Sequence, residues 1–138
     1  MDIAINYVAV LVAAVASFVI GWAWYSPLLF VKPWLRSRGK DPEMVMKTGM
    51  QMPWGTMATE FVSTLVVAYV LARFSVLLGV VSWQGAFHLA IWLWLGFQAT
   101  LLMGAVLWEE MTWQHYAISA GRWLVSLVVM SLILGLWH

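Results

Sequence analysis

The chain has 138 residues, of which 64% are hydrophobic and only 9% charged, with a net charge of +1. That length allows one domain, and a soluble fold, with roughly a quarter of its residues charged, is excluded because too little polar surface exists to enclose so many apolar side chains. With no cysteine, disulfides, thiolate metal sites, iron–sulfur clusters and cysteine nucleophiles are excluded together.

Crossing the hydrocarbon of a bilayer takes about 20 apolar residues. Four stretches meet this, at about 3–24, 57–78, 85–108 and 116–137. None alternates with a period of two, and backbone groups in lipid must be satisfied internally, so each is expected to be a helix. The expected fold is all-α: a single transmembrane domain over 1–138, its four helices packed as a small bundle. Ala14-Val15-Ala16-Ser17 has the small residues of a signal cleavage site. Asp2 and the absence of Lys or Arg ahead of it argue instead for a retained first helix.

The first connection, 25–56, is the long one. Pro27 and Pro33 are expected to break the chain as it leaves the first helix. Asp41-Pro42-Glu43 has the order of an N-cap, a first-turn proline and an acid favoured by the helix dipole. A short interfacial helix over about 42–47 is expected to follow and to end by Gly49 and Pro53. Five of the seven basic residues, Lys32, Arg36, Arg38, Lys40 and Lys47, lie in this connection. Between two apolar runs such a cluster orients the protein rather than binding nucleic acid. Basic loops stay in the cytoplasm, so both termini are expected on the outer, periplasmic side of a bacterial cytoplasmic membrane. Connections near 79–84 and 109–115 are short, which makes the later helices antiparallel neighbours.

Small residues let membrane helices approach closely. The first segment carries Ala9, Ala13, Ser17 and Gly21 at four-residue spacing, the second Thr64, Ala68 and Ala72, and the third Gly96, Thr100 and Gly104. All three stripes are expected to be contact faces. Ser17, Ser63, Ser126 and Ser131 sit within helices, where a hydroxyl ordinarily bonds back to a carbonyl one turn earlier. The halves align weakly, matching Ser17 to Thr100, Gly21 to Gly104 and Glu60 to Arg122, as a parallel duplication would.

Ionisable groups in a span cost roughly 2.5–3.5 kcal/mol each on insertion scales and need partners. Glu60 and Arg122 fall at comparable depth on helices running the same way, with Glu109 near the same side. They are expected to form either a charged gate or an ion pair that fixes helix register. Glu109, Glu110 and His115 match no metal-ligand spacing, and no nucleophile is accompanied by a base. No metal, cofactor or enzymatic reaction is therefore expected.

The segment Gly21 to Trp34, with Trp24-Tyr25-Ser26-Pro27, Phe30, Lys32 and Trp34, resembles the signature G-x-x-W-Y-S-P-x-x-F-G-K-x-W of small membrane proteins grouped as domain of unknown function 1761. Val31 stands where that signature has glycine. The resemblance runs over nearly the whole chain, through Glu109 and the closing Ile133-Leu134-Gly135-Leu136-Trp137. It implies four spans and supplies no activity. Physically, Trp24, Tyr25, Pro27, Lys32 and Trp34 suit an anchor at the membrane interface. The function expected from these observations is non-enzymatic, acting through helix contacts within the bilayer as a homo-oligomer or an accessory subunit. The alternative is a small oligomeric transporter or channel gated by Glu60 and Arg122.

Overall fold

The computed structural model describes residues 4–26, 30–37, 39–44 and 54–137. Helix α1 spans Tyr7–Trp24. The Asn6 side chain caps it by accepting from the Ala9 N–H at 3.1 Å. Helix α2, Val31–Ser37, lies in the first connection and contains Pro33, one of the two prolines expected to break the chain as it leaves the first helix. Pro33 falls in its first turn, where a backbone N–H has no intrahelical acceptor, so the missing donor is harmless there. Two hydrogen bonds tie its start to the end of α1, Phe30 N–H to Trp24 O at 3.0 Å and Val31 N–H to Ser26 O at 3.2 Å. Gly39, at φ +73°, closes α2 in a Schellman motif, with Gly39 N–H on Arg36 O and Lys40 N–H on Leu35 O.

Asp41 caps as expected, its carboxylate accepting from the Glu43 N–H at 3.0 Å, and residues 42–44 are helical. The rest of the expected interfacial helix lies outside the described residues. Helix α3 spans Trp54–Leu77 and ends in a second Schellman motif at Gly79, φ +66°, with Val80 N–H on Ser75 O at 2.9 Å. Helix α4 runs over Trp83–Trp108, capped by Ser82 and interrupted by a π turn at Leu95–Ala99. Helix α5, Trp113–Leu136, is capped by Thr112, whose hydroxyl accepts from His115 N–H. Between α4 and α5 the chain turns through Glu110 in the left-handed region, at φ 59°.

α1, α3, α4 and α5 are each long and apolar enough to cross a membrane, and no strand occurs among the described residues. This composition and architecture fit a multi-pass membrane protein. Helix α5 touches all three of the other long helices. Ala13 of α1, Ala68 and Leu71 of α3, Ala90 of α4 and Met130 of α5 belong to one buried cluster.

The small-residue stripes divide. Ala9, Ala13, Ser17 and Gly21 are all buried, as are Thr64, Ala68 and Ala72, so the first two stripes are internal faces of the monomer. A side chain larger than Ala at 13 would overpack this seam, at about 1–3 kcal/mol. The third stripe is different. Gly96 and Thr100 are exposed, Gly104 is half-buried, and a Cβ at either glycine would meet nothing within 4 Å.

The helix hydroxyls also depart from expectation. Thr59, Thr64 and Thr100 bond back to the carbonyl four residues earlier. The buried hydroxyls of Ser17, Ser126 and Ser131 have no hydrogen-bond partner. Threonine is held at χ1 by its second heavy atom in rotamers that reach a carbonyl of the preceding turn. Ser26 and Ser37 also bond back, to Ala23 O and Trp34 O at 2.6 Å each, so the hydroxyls without a partner are those of serines buried in the long helices.

Candidate functional site

Three tryptophan and tyrosine hydrogen bonds set the frame in which the polar residues sit. Trp24 at the end of α1 donates its indole N–H to Ile118 O at 2.9 Å, and its ring lies against Gly121. A Cβ at that glycine would be 3.2 Å from the indole. Trp94 of α4 donates to Ala120 O at 2.8 Å. The Tyr116 hydroxyl donates to Ala99 O in the π turn at 2.7 Å. A π turn redirects backbone carbonyls, and here one of them is met by a phenol from the facing helix. Together these bonds fix the first two turns of α5 against α1 and α4.

That placement aims Arg122 inward. Its side chain is 4% exposed and its guanidinium lies over the Trp123 ring, 4.0 Å from the centroid. Nη2 donates to Ser17 O of α1 at 3.3 Å and stands 3.7 Å from Glu60 Oε1 of α3. Nε has no hydrogen-bond partner. The guanidinium fits because residue 21 is glycine: a Cβ there would lie 2.7 Å from Nη2. Thus Gly21 belongs to the packing stripe and to the arginine seat at once.

The Glu60 contact is loose. At 3.7 Å it is an ion pair and not a hydrogen bond, and the Glu60 side chain is 49% exposed. Its carboxylate stands at the rim, with the cation beneath it. Both face a cavity of about 710 Å³. Its walls come from the C-terminal turns of α1, Trp34 of α2, the first turns of α3 and the first turns of α5. The Tyr25 and Trp34 rings pack at 5.0 Å between centroids, and Trp22, Ser119 and His115 also line the wall.

The structure therefore brings Glu60 and Arg122 together, as the sequence led one to expect, and leaves Glu109 apart. Glu109 and Glu110 are exposed in the turn after α4, away from the cavity. Of the anchor motif, Tyr25 and Trp34 line the cavity, Lys32 is exposed, and Pro27 lies outside the described residues. Trp24 pins α1 to α5 through its indole N–H. The roles of Gly21, Trp123 and the Ser17 carbonyl are not legible from pattern alone, although the Arg122-Trp123 dipeptide was a signal for a stacked guanidinium. At the opposite end of α3, Arg73 donates to the Tyr69 hydroxyl at 3.2 Å, and His88 is exposed.

Chemically, the arrangement offers a buried fork of N–H donors with few acceptors, a carboxylate that can move, and apolar aromatic walls. No curated protein and no solved structure matches the chain. The model of the family described as protein of unknown function DUF1761 matches residues 8–135, which include every residue that lines the cavity, and the chain belongs to that family.

Proposed function

We propose that this protein is a non-enzymatic, multi-pass protein of the bacterial cytoplasmic membrane that takes a small solute into the Arg122 cavity. The carrying observation is Arg122 itself. A guanidinium 4% exposed, facing a cavity of about 710 Å³ with its counter-ion at 3.7 Å on the rim, is more than a register-fixing ion pair requires. Intramembrane ionisable residues that face a cavity mark solute paths in membrane proteins. In this reading Glu60 is the mobile half of a charged gate. The cavity opens at the end of the four helices next to the basic connection, so positive-inside orientation puts its mouth on the cytoplasmic side and both termini outside.

Because the chain has no cysteine, Ser119→Cys introduces a unique thiol in the cavity wall. In sealed vesicles of known orientation it should react with a membrane-impermeant maleimide added on the basic-loop side and not on the other. A thiol that reacts from neither side while reacting in denaturant would end the proposal.

A second reading, association with another copy or with a larger membrane complex, is favoured by the outward Gly96, Thr100 and Gly104 stripe. Gly96→Leu should then reduce the particle size measured by light scattering in detergent. A size identical to wild type would remove it.

A further inference from the structure

We infer that the Arg122 cavity binds an anionic amphiphile, a molecule with a carboxylate or phosphate head on an apolar chain or ring, which replaces Glu60 as the partner of Arg122. This rests on the cavity being a solute site, and it names the class of solute.

The sign of the charge follows from the hydrogen-bond inventory. A guanidinium carries five N–H donors in a planar fork and no acceptor. Among the described residues Arg122 makes one hydrogen bond, from Nη2 to Ser17 O at 3.3 Å, and Nε, which has no partner, is covered, so the donors a solute can meet are those of the two Nη atoms. The floor of the cavity is thus rich in donors and positive, and carboxylate or phosphate oxygens match a guanidinium fork with two parallel bonds. A cationic solute would meet the same floor as a like charge.

Exchange is possible because Glu60 is held weakly. Its carboxylate is 49% exposed and 3.7 Å from Nη2, longer than a charge-assisted bond of about 2.7–2.9 Å. Swinging out to solvent, it costs one long ion pair, and the incoming anion gains shorter bonds in its place. The Trp123 ring under the guanidinium at 4.0 Å keeps the fork flat and in position while the partner changes. Gly21 makes room for the guanidinium itself, since a Cβ there would stand 2.7 Å from Nη2.

The apolar body follows from the walls. Trp22, Tyr25, Trp34 and Trp123 surround the approach to Arg122. The cavity of about 710 Å³ lies within the range of roughly 300–1,000 Å³ for sites that enclose drug-sized ligands. Inorganic phosphate would leave most of that volume and all of the aromatic surface unused. Two sources could supply such a solute: a single-chain acid released from lipid, or a water-soluble aromatic acid.

The test is equilibrium binding to the full chain in nanodiscs, with empty nanodiscs subtracted, using oleate, phenylacetate, oleyl alcohol and oleylamine as probes. Saturable binding of oleate is expected, with the alcohol and the amine weaker by about tenfold or more, the worth of one charge-assisted bond. Arg122→Gln should lose about tenfold or more in oleate affinity and Arg122→Lys less, because lysine keeps the charge and loses the fork. Glu60→Gln should bind oleate more tightly by removing the competing carboxylate. Ser119→Phe, which fills the cavity and keeps both charged residues, should abolish binding, and it keeps the proposal testable if Arg122→Gln does not fold. Oleate alone binding marks a lipid-derived solute; phenylacetate binding as well marks a soluble one. Equal binding of acid, alcohol and amine, persistence of oleate binding in Ser119→Phe, or failure of both acids to bind would overturn the inference. With Ser119→Cys still labelled from the basic-loop side, that failure removes the solute class alone. With the thiol unlabelled, the cavity reading falls too.

Discussion

Gly21 of α1 and Arg122 of α5 share one volume: a Cβ on the glycine would stand 2.7 Å from Nη2 of the arginine. The absent side chain of one is the seat of the other. Gly21→Ala should therefore push the guanidinium off the Ser17 carbonyl and lower stability by about 1.5–3 kcal/mol, the range for a hydrogen bond to a charged group. Gly104→Ala, where a Cβ meets nothing within 4 Å, should leave stability unchanged or raise it by up to about 1 kcal/mol through the better helix propensity of alanine. Thermal unfolding of both variants in detergent provides the comparison, and equal effects would contradict the shared volume.

The Glu60–Arg122 pair is long and its acid is half exposed, so its coupling should resemble that of a surface ion pair. A double-mutant cycle with Glu60→Gln and Arg122→Gln should give a coupling energy below about 1 kcal/mol. Unfolding in denaturant or heat supplies the four stabilities. A coupling of about 3 kcal/mol or more would describe a tight buried pair and would deny Glu60 its freedom to move.

Trp24 and Trp94 hold α5 by indole hydrogen bonds of 2.9 and 2.8 Å. Trp24→Phe and Trp94→Phe should each cost about 0.5–1.5 kcal/mol beyond the loss of ring area. Trp108→Phe is the control, because Trp108 is 85% exposed and donates to no described residue. If all three behave alike, these tryptophans serve as interface anchors and not as helix fasteners.

Ser126 is fully buried and its hydroxyl has no partner. Ser126→Ala removes an unsatisfied group from an apolar seam, so stability should be unchanged or should rise by up to about 1 kcal/mol. Thr64→Val deletes a hydroxyl bonded to Glu60 O at 2.8 Å, keeps the shape, and should lower stability. Reversal of that order would show that the Ser126 hydroxyl finds a partner in the membrane.

Much of the architecture was legible in the chain itself. Helices crossing about 20 apolar residues leave long runs in the sequence, and α1, α3, α4 and α5 start or stop within about four residues of the expected limits. Asp41 also announced its cap. Helix α2 was not legible, because Pro33 reads as a breaker unless it is known to fall in a first turn, and the turn bonds that place it there, Phe30 to Trp24 O and Val31 to Ser26 O, leave no pattern in the sequence. The π turn at Leu95–Ala99 has no composition signal, and the Tyr116 hydroxyl that meets it comes from another helix.

What the sequence determined alone was the solvent and the helices: apolar length, the position of charge and the spacing of small residues are properties of a linear string. It also named Glu60 and Arg122, since charge in an apolar run stands out without a fold. Only the tertiary structure decided which stripes turn inward, that Glu109 stays outside, and that Gly21, Ser17 and Trp123 converge on one guanidinium. Residues separated by about a hundred positions in the chain meet there because α1 and α5 pack in one rotation about their axes. Sequence period fixes which residues share a face; which face meets which helix depends on the packing of all of them together.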